Sequence, residues 1–283
     1  MLYGSPLPIT AAPEPAATRA YAEALEQAGF DFTATSGHVL AQPPGTHPHR
    51  PARQYSGPFY DPFVAIASLA ATTTHLRFMT GILILPAWPA AIVAKQAAEL
   101  ALFSGGRFEL GVGISWNEAE YRALGQDFST RGRRLEEQLA VIRRLWEQDY
   151  VSFTGRFHSL DRVGLNRGSL PRIPIWFGTE SGERALRRVA RLADGWMPLG
   201  DPTPDLARLS EYMREAGRDP ATLLIRAPLA AGDGGPSTWI AEARRLGEAG
   251  VSHLNITAPP TMAADEALTR VRTARKAIAE ALG

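Results

Sequence analysis

The sequence predicts a single (β/α)8 TIM barrel over residues 1–283. Short apolar segments typical of strands alternate with longer amphipathic segments along the whole chain, and there are eight of each. Several strand segments are almost continuously apolar, as strands covered on both faces are. The count, the order and the length of 283 residues match the barrel plan.

The elements follow one another in strict alternation. The predicted strands are 2–8, 30–36, 76–85, 107–113, 173–178, 195–199, 222–230 and 251–257. The predicted helices are 14–28, 61–74, 89–103, 129–147, 182–193, 203–216, 237–249 and 263–281. In 133–146 the residues Leu135, Leu139 and Ile142 recur at three or four positions and form one apolar stripe. Several helices end at a glycine, namely Gly29, Gly105, Gly217 and Gly250.

Two stretches are longer than a strand-to-helix connection requires, which places long insertions after strands 2 and 4. Residues 37–60 follow the second strand and contain five prolines. Residues 148–172 contain a hairpin-like pair, "YVSFTGRFHSL". Long segments of this kind in a compact domain are usually functional. The alternative fold is an open doubly wound sheet, but its G-x-G-x-x-G turn is missing, since "GVGISW" lacks the third glycine.

Composition excludes several classes of function. A net charge of +1 with 21% charged residues gives no field that would attract nucleic acid or a membrane surface. Because there is no cysteine, disulfides and thiolate chemistry are excluded. No apolar stretch reaches the roughly 18–20 residues of a membrane helix, and the N-terminus lacks a signal peptide's pattern. We therefore expect a cytoplasmic protein. The pair His47 and His49 is a weak metal motif, and we expect no metal site.

Two segments place distinctive residues where a barrel carries its chemistry, at the C-terminal ends of strands. His38 follows the second strand by two residues, and a histidine suits a proton donor or acceptor. A loop histidine bonded to the backbone is the alternative. Gly81 interrupts the apolar strand "RFMTGILILP", which indicates a bulge or a close approach to another group. A glycine that makes room for a core side chain is the alternative.

Two later segments offer polar groups at the starts of helices. Asn117 can present its amide to the edge of a heterocycle, or it can cap a helix with Glu118 as a first-turn acid. Residues 178–181 end a strand and precede a helix, and free N–H groups at a helix start bind phosphate well. Plain helix capping is the alternative there too.

Together these motifs resemble the bacterial luciferase-like monooxygenase superfamily, and within it the branch that uses the deazaflavin coenzyme F420. The resemblance runs over essentially the full chain. It depends on the order and spacing of three pieces: the Thr-Gly-Ile strand, the glycine-rich "ELGVGISWNE" and the late "PIWFGTESGERALRRVARLADGW". Sugar-phosphate dehydrogenases of this branch carry a catalytic glutamate in a "G-x-G-E" turn. This chain has "GVGISWNE" instead, which argues against glucose-6-phosphate dehydrogenase activity.

The resemblance implies roles for individual residues. His38 would be the catalytic residue beside the reactive ring. Gly81 and Ile82 would form a bulge behind the ring, often a non-prolyl cis peptide in the family, and Asn117 would bond the ring's polar edge. The phosphate end would lie at 178–181. The expected cofactor-binding residues are Gly37, His38, Thr80, Gly81, Ile82, Asn117, Gly178, Thr179, Glu180 and Ser181.

The leading functional hypothesis is hydride transfer between coenzyme F420 and a small organic substrate. Arg50 and Arg53 favour it, because they lie in an acid-free loop and could meet the polyglutamate tail that FMN lacks. The first alternative is an FMN-dependent monooxygenase that uses O2 and a separate reductase. The second is a barrel that binds a flavin without turnover. We also expect a homodimer that has no nucleic-acid or membrane partner.

Overall fold

The structure, a computed structural model, describes residues 1–8, 14–43 and 59–283. Within them, eight parallel strands close into a barrel in chain order, and the last strand pairs with the first. The barrel strands are β1 (Leu2–Pro6), β2 (Phe32–Gly37), β3 (Arg77–Ile84), β4 (Phe108–Gly113), β7 (Ile175–Thr179), β8 (Gly195–Pro198), β9 (Leu224–Ala230) and β10 (His253–Thr257). The predicted TIM barrel is confirmed.

Helices follow the strands as predicted. They are α1 (Pro15–Gln27), α2 (Pro62–Ala70), α3 (Ala90–Phe103), α4 (Glu118–Ala123), α5 (Arg131–Glu147), α6 (Glu183–Leu192), α7 (Leu206–Glu215), α8 (Gly235–Glu248) and α9 (Ala264–Leu282). The short α4 is an addition to the barrel plan, inserted between β4 and α5. The four glycines predicted to end helices all have positive φ: Gly29, Gly105, Gly217 and Gly250. Among the described residues no helix is long and apolar enough to cross a membrane.

The second insertion contains the predicted hairpin, formed by β5 (Val151–Thr154) and β6 (Ser159–Val163). It begins where α5 ends, at the N-terminal side of the barrel, and its tip turns back along α5. The carboxylate of Glu137 on α5 accepts three backbone N–H bonds from the tip, from Arg156, Phe157 and His158 at 2.7–2.8 Å. The hairpin is therefore anchored to the outer helical layer.

The core divides at the barrel wall, because alternate strand residues point to opposite faces. Outward-facing residues such as Phe78, Phe108 and Leu110 pack beneath the helices in the main apolar core. A smaller group fills the barrel interior, and it comprises Phe32, Ala34, Met79, Trp176 and Met197. The interior also holds a buried carboxylate, Glu109, which accepts from Arg77 Nε at 2.7 Å and from Trp176 Nε1 at 2.6 Å. Pairing of this kind offsets the cost of burying charge.

Arg107 ties two helices to the N-terminal end of β4. Its guanidinium donates to the carbonyl oxygens of Ala70, Thr73, Leu76 and Ser104 at 2.7–3.1 Å. It also donates to the Thr73 hydroxyl at 3.0 Å. Because the last carbonyls of a helix have no partner inside the helix, one arginine here completes the ends of α2 and α3.

Candidate active site at the barrel mouth

The barrel is open at the C-terminal ends of its strands. Although the middle of β3 is buried, Gly81 is exposed there, and inward-facing Pro228 and Ala230 of β9 are exposed as well. Leu199, directly after β8, is also exposed. The mouth therefore presents small and apolar surfaces, which a flat aromatic ring can contact closely.

The predicted bulge lies in β3. The pairing register of β3 shifts against both β2 and β4, and the peptide bond between Gly81 and Ile82 is cis. Within the bulge the Thr80 hydroxyl replaces the lost ladder contacts: it accepts from the N–H of Gly111 at 2.8 Å and donates to the carbonyl of Gly111 at 2.6 Å. Thr80 is fully buried, so its side chain supports the bulge from within the wall.

Three glycines from neighbouring strands make room for Ile82. A Cβ added at Gly178 would collide with Ile82 Cγ2, and one at Gly113 would lie 2.9 Å from Ile82 Cδ1. A Cβ at Gly37 would lie 3.1 Å from the Ile82 carbonyl oxygen. The structure thus brings Gly37, Ile82 and Gly178 together at the mouth, as the sequence analysis expected, and adds Gly113.

His38 is held at the rim by a buried carboxylate. Its Nδ1 lies 2.8 Å from Oε2 of Glu120 on α4, whose side chain is 1% exposed. The other oxygen, Oε1, accepts from the backbone N–H of Val39 at 2.6 Å and of Leu40 at 3.3 Å. Glu120 therefore fixes both the imidazole and the backbone that follows it. His38 itself is 23% exposed, and its Nε2 has no partner among the described residues.

Glu120 was not singled out by the sequence analysis. A signal was present, because Asn117 and Glu120 have the spacing of a capping box, in which the acid reaches back to the start of the helix. Here Asn117 Oδ1 accepts from the N–H of Glu120 at 3.3 Å, while the Glu120 carboxylate reaches His38 instead. Asn117 is buried, and its Nδ2 lies 3.5 Å from Glu120. It thus has the capping role offered as the alternative, and its contact with a ring stays a prediction.

The segment expected to hold phosphate follows β7. Glu180 and Ser181 are exposed, and α6 begins at Glu183 with no side-chain cap on its first N–H groups. The guanidinium of Arg208 donates to the Ser181 carbonyl at 2.7 Å, and the Thr179 hydroxyl donates to the Glu180 carbonyl at 3.2 Å. Open N–H groups at a helix start suit an anion. The phosphate role stays a prediction.

Part of the first insertion lies outside the described residues. This holds for Arg50 and Arg53, on which the preference for F420 partly rested, and for the histidine pair His47 and His49. The described end of that insertion contributes Phe59, whose ring centroid is 5.4 Å from that of His38. The ring centroid of Trp116, which follows β4, is 6.2 Å from that of His38. His38 therefore has aromatic neighbours at the rim.

A profile described as luciferase-like monooxygenase matches residues 2–268. The chain belongs to this family. An uncharacterized protein of Mycobacterium tuberculosis is 42% identical over 166 residues, which cover 57% of this chain and 57% of that protein. The F420-dependent hydroxymycolic acid dehydrogenase of M. tuberculosis is 31% identical over 216 residues, 74% of this chain and 57% of the relative. These matches therefore span just over half the length of the relatives.

Another relative is named for its dependence on FMNH2. The FMNH(2)-dependent dimethylsulfone monooxygenase of Pseudomonas fluorescens is 30% identical over 182 residues, which cover 63% of this chain and 46% of that protein.

Among solved structures, an F420-dependent secondary alcohol dehydrogenase in complex with an F420-acetone adduct superposes with a TM-score of 0.78. It is 19% identical, and the match covers 98% of both chains. That likeness is one of fold.

Proposed function

We propose that this family member binds coenzyme F420 at the barrel mouth and transfers a hydride between it and a small organic alcohol or carbonyl compound. The observation that carries the proposal is the juxtaposition of an exposed glycine backbone at Gly81 with the His38–Glu120 pair at the rim. The likeness to an F420-dependent dehydrogenase over 74% of the chain supports it.

The residues present fit a flat ring. Since Gly81 has no side chain and its backbone is exposed, a ring can lie directly against β3 there. The glycines around Ile82 keep this surface shallow, and the open start of α6 suits a phosphate. A bound deazaflavin would supply a ring carbon that takes or gives a hydride. The barrel would bind the ring, orient it and exclude water from one of its faces.

His38 would move the accompanying proton. With Nδ1 held by the Glu120 carboxylate, the neutral imidazole has its acceptor nitrogen at Nε2. Nε2 is then free to take the hydroxyl proton of an alcohol or, after protonation, to give one to a carbonyl oxygen. The buried Glu120 would stabilise the protonated imidazole, so it is a positioning residue that acts through His38. The exposed apolar side chains of Val39 and Leu40 beside His38 favour an apolar substrate.

FMN is the alternative cofactor, and a relative that uses FMNH2 supports it. An FMN-dependent enzyme would use the same ring surface, react with O2 and need a reductase. The His38–Glu120 pair argues against a barrel that only binds a flavin, since a buried carboxylate on a histidine is a common catalytic arrangement. The small-molecule substrate, the homodimer, the cytoplasmic location and the extension of one domain over all 283 residues stay predictions.

Cofactor titration tests the proposal. Fluorescence quenching and calorimetry would measure the dissociation constants of oxidised F420 and of FMN for the purified chain. We expect F420 to bind at least about tenfold more tightly, a difference of about 1.4 kcal/mol. Anaerobic mixing with simple secondary alcohols should then bleach the F420 absorbance. An FMN dissociation constant equal to or below that of F420 would replace this proposal with the FMN alternative.

A further inference from the structure

The barrel interior contains an arginine, Arg226, whose hydrogen-bond partners are methionine sulfurs. Arg226 projects inward from β9, and its Nη1 lies 2.9 Å from the sulfur of Met197 and 3.5 Å from that of Met79. The guanidinium carbon is 5.7 Å from the centre of the Phe32 ring. Thioether sulfurs are weak acceptors. The surroundings of this cation are therefore apolar and poorly able to solvate it.

No carboxylate pairs with Arg226 in the part of the chain that the structure describes. The other interior arginine, Arg77, differs in this respect, because its Nε lies 2.7 Å from a carboxylate oxygen of Glu109. His253, beside Arg226 on β10, is neutral at neutral pH, because burial and the charge of Arg226 lower its pKa to about 4, so it adds no charge next to the guanidinium. Burial lowers the pKa of Arg226 only to about 10, so it stays charged at neutral pH. An unpaired charge in such a place costs stability.

Arg226 lies close to Gly81, the exposed residue against which a cofactor ring would lie. A Cβ built on Gly81 would lie 3.6 Å from Arg226 Nη1, and Gly81 is the exposed residue of the ring surface. Arg226 as a residue is half-buried, and no hydrogen bond from its Nε or Nη2 reaches a described residue. It therefore lies directly below the mouth, with N–H groups left to donate.

We propose that Arg226 is an anion-binding residue in the floor of the mouth, and that it stabilises the negative charge of the reduced cofactor ring. This rests on the proposed function. When an alcohol is oxidised, its carbon gives a hydride with both electrons to the ring, and its hydroxyl proton goes to Nε2 of His38. The ring then carries one more negative charge than before. The Coulomb attraction between a guanidinium and that charge is far stronger in low-dielectric surroundings than in water.

The test compares both redox forms of F420 on the full chain. Arg226→Met should weaken binding of reduced F420 by about tenfold or more, as expected when a charge-assisted hydrogen bond is lost. Binding of oxidised F420 should change by less than about threefold, below half of that free energy. Arg226→Lys should keep most of the preference for the reduced form. Arg172→Met, which removes an exposed arginine at the opposite end of the barrel, is the control and should change neither constant.

Thermal unfolding without cofactor is a second measurement, independent of activity. If Arg226 serves a ligand, the new methionine of Arg226→Met should pack against Met79 and Met197, and the melting temperature should stay unchanged or rise. A clear fall in melting temperature with an unchanged ratio of the two constants would make Arg226 structural and overturn the inference. An unchanged ratio with acetate stabilising the wild type but not Arg226→Met would assign the site to a substrate carboxylate instead.

Failure of the proposed function has a different signature. A wild-type chain that binds neither redox form of F420 would overturn both proposals. A wild type that binds both forms, with a variant that binds them in the same ratio, would overturn only the role of Arg226.

Discussion

At the scale of single residues, the central feature is a pair joined across the fold. His38 and Glu120 are 82 positions apart in the chain, and their side chains meet at 2.8 Å. The carboxylate is buried while the imidazole reaches the open mouth. A substitution of Glu120 should therefore change the site mainly through His38, so the pair is suitable for mutational tests.

His38→Ala should reduce turnover by about 10²–10⁴-fold, the usual contribution of a proton-transfer group. Glu120→Gln should reduce kcat by a smaller factor, because its amide oxygen can still accept from Nδ1, although it does not stabilise a charged imidazole and its amide nitrogen then faces the N–H groups of Val39 and Leu40. Both variants should keep the dissociation constant of the cofactor within about threefold, since neither provides the ring surface. Steady-state kinetics and cofactor titration measure the two effects separately.

Glu118→Gln is the matched control, because Glu118 lies on the same helix but is exposed and pairs only with Arg122. If Glu120 acts through His38, adding Glu120→Gln to His38→Ala should cause no further loss of kcat. A further loss in the double variant would show that Glu120 has a role of its own. Equal losses in turnover and in cofactor affinity for His38→Ala would make His38 a ring contact only.

Gly81→Ala tests the placement of the ring. The new Cβ would lie 3.1 Å from the Cβ of Ala34 and 3.6 Å from Arg226 Nη1, so the wall must give slightly. Because Gly81 is exposed, the methyl group would also occupy part of the proposed ring surface. We expect cofactor affinity to fall by more than about tenfold and the free energy of unfolding by no more than about 1 kcal/mol. Gly168→Ala, where a Cβ meets nothing within 4 Å, is the control. A destabilised Gly81→Ala protein that binds cofactor normally would place the ring against another strand.

At the scale of elements, the two ends of the barrel have separate tasks. The mouth combines a bulged β3, three closely packed glycines and the added helix α4, whose length of six residues is enough to carry Asn117 as its cap and Glu120 on its first turn. The opposite end contains the helix-end contacts of Arg107. The helix-end contacts of Arg107 thus lie at one end of the strands and the proposed site lies at the other, as the barrel plan predicts.

Arg107→Met should therefore lower stability without altering the site. The substitution removes five hydrogen bonds and leaves helix-end carbonyls of α2 and α3 unpaired. We expect a loss of about 2–4 kcal/mol in the free energy of unfolding, measured by denaturant titration. Below the transition, kcat and cofactor affinity should equal those of the wild type. A loss of affinity in fully folded protein would contradict this separation of the two ends.

At the scale of the whole molecule, two exposed apolar side chains lie on neighbouring helices on the outside of the barrel. Val64 on α2 is 70% exposed and Ile92 on α3 is 50% exposed, and α2 packs beside α3. A second copy of the chain that bound across α2 and α3 would cover both side chains, and apolar surface covered in this way stabilises association. The two side chains favour this face as the contact of the homodimer that the sequence analysis expects.

The double variant Val64→Glu with Ile92→Glu should shift the chain from dimer to monomer in analytical ultracentrifugation, because four carboxylates would face one another in a symmetric contact. Tyr150→Glu is the control, since Tyr150 is 74% exposed but follows the end of α5, whereas Val64 and Ile92 lie in the first turns of α2 and α3 at the other end of the helical layer. A dimer that persists in the double variant would place the contact elsewhere. A wild-type chain that sediments as a monomer would show the homodimer prediction to be wrong.

The sequence by itself predicted the barrel, which the structure confirms, and predicted a site at the C-terminal ends of its strands. Hydrophobic periodicity is a local property, so each strand and helix could be predicted from its own residues. Strict alternation then left the closed parallel barrel as the plan that buries every strand. The same reasoning predicted that His38 and residues 178–181 would lie at one end, because parallel strands all end at the same edge, while the family resemblance added Gly37 and placed Gly81 behind the ring. The bulge at Gly81 could be predicted because a glycine in an apolar strand is a local anomaly.

Only the tertiary structure decided which side chains meet. The partner of His38 is Glu120, which in the sequence looks like one more acid on a polar helix. Arg226 looks like an ordinary strand residue until barrel closure and strand register place its guanidinium below Gly81, where no carboxylate of the described residues forms a salt bridge with it. Contacts of this kind depend on register and closure, which the whole barrel sets jointly and no local pattern encodes.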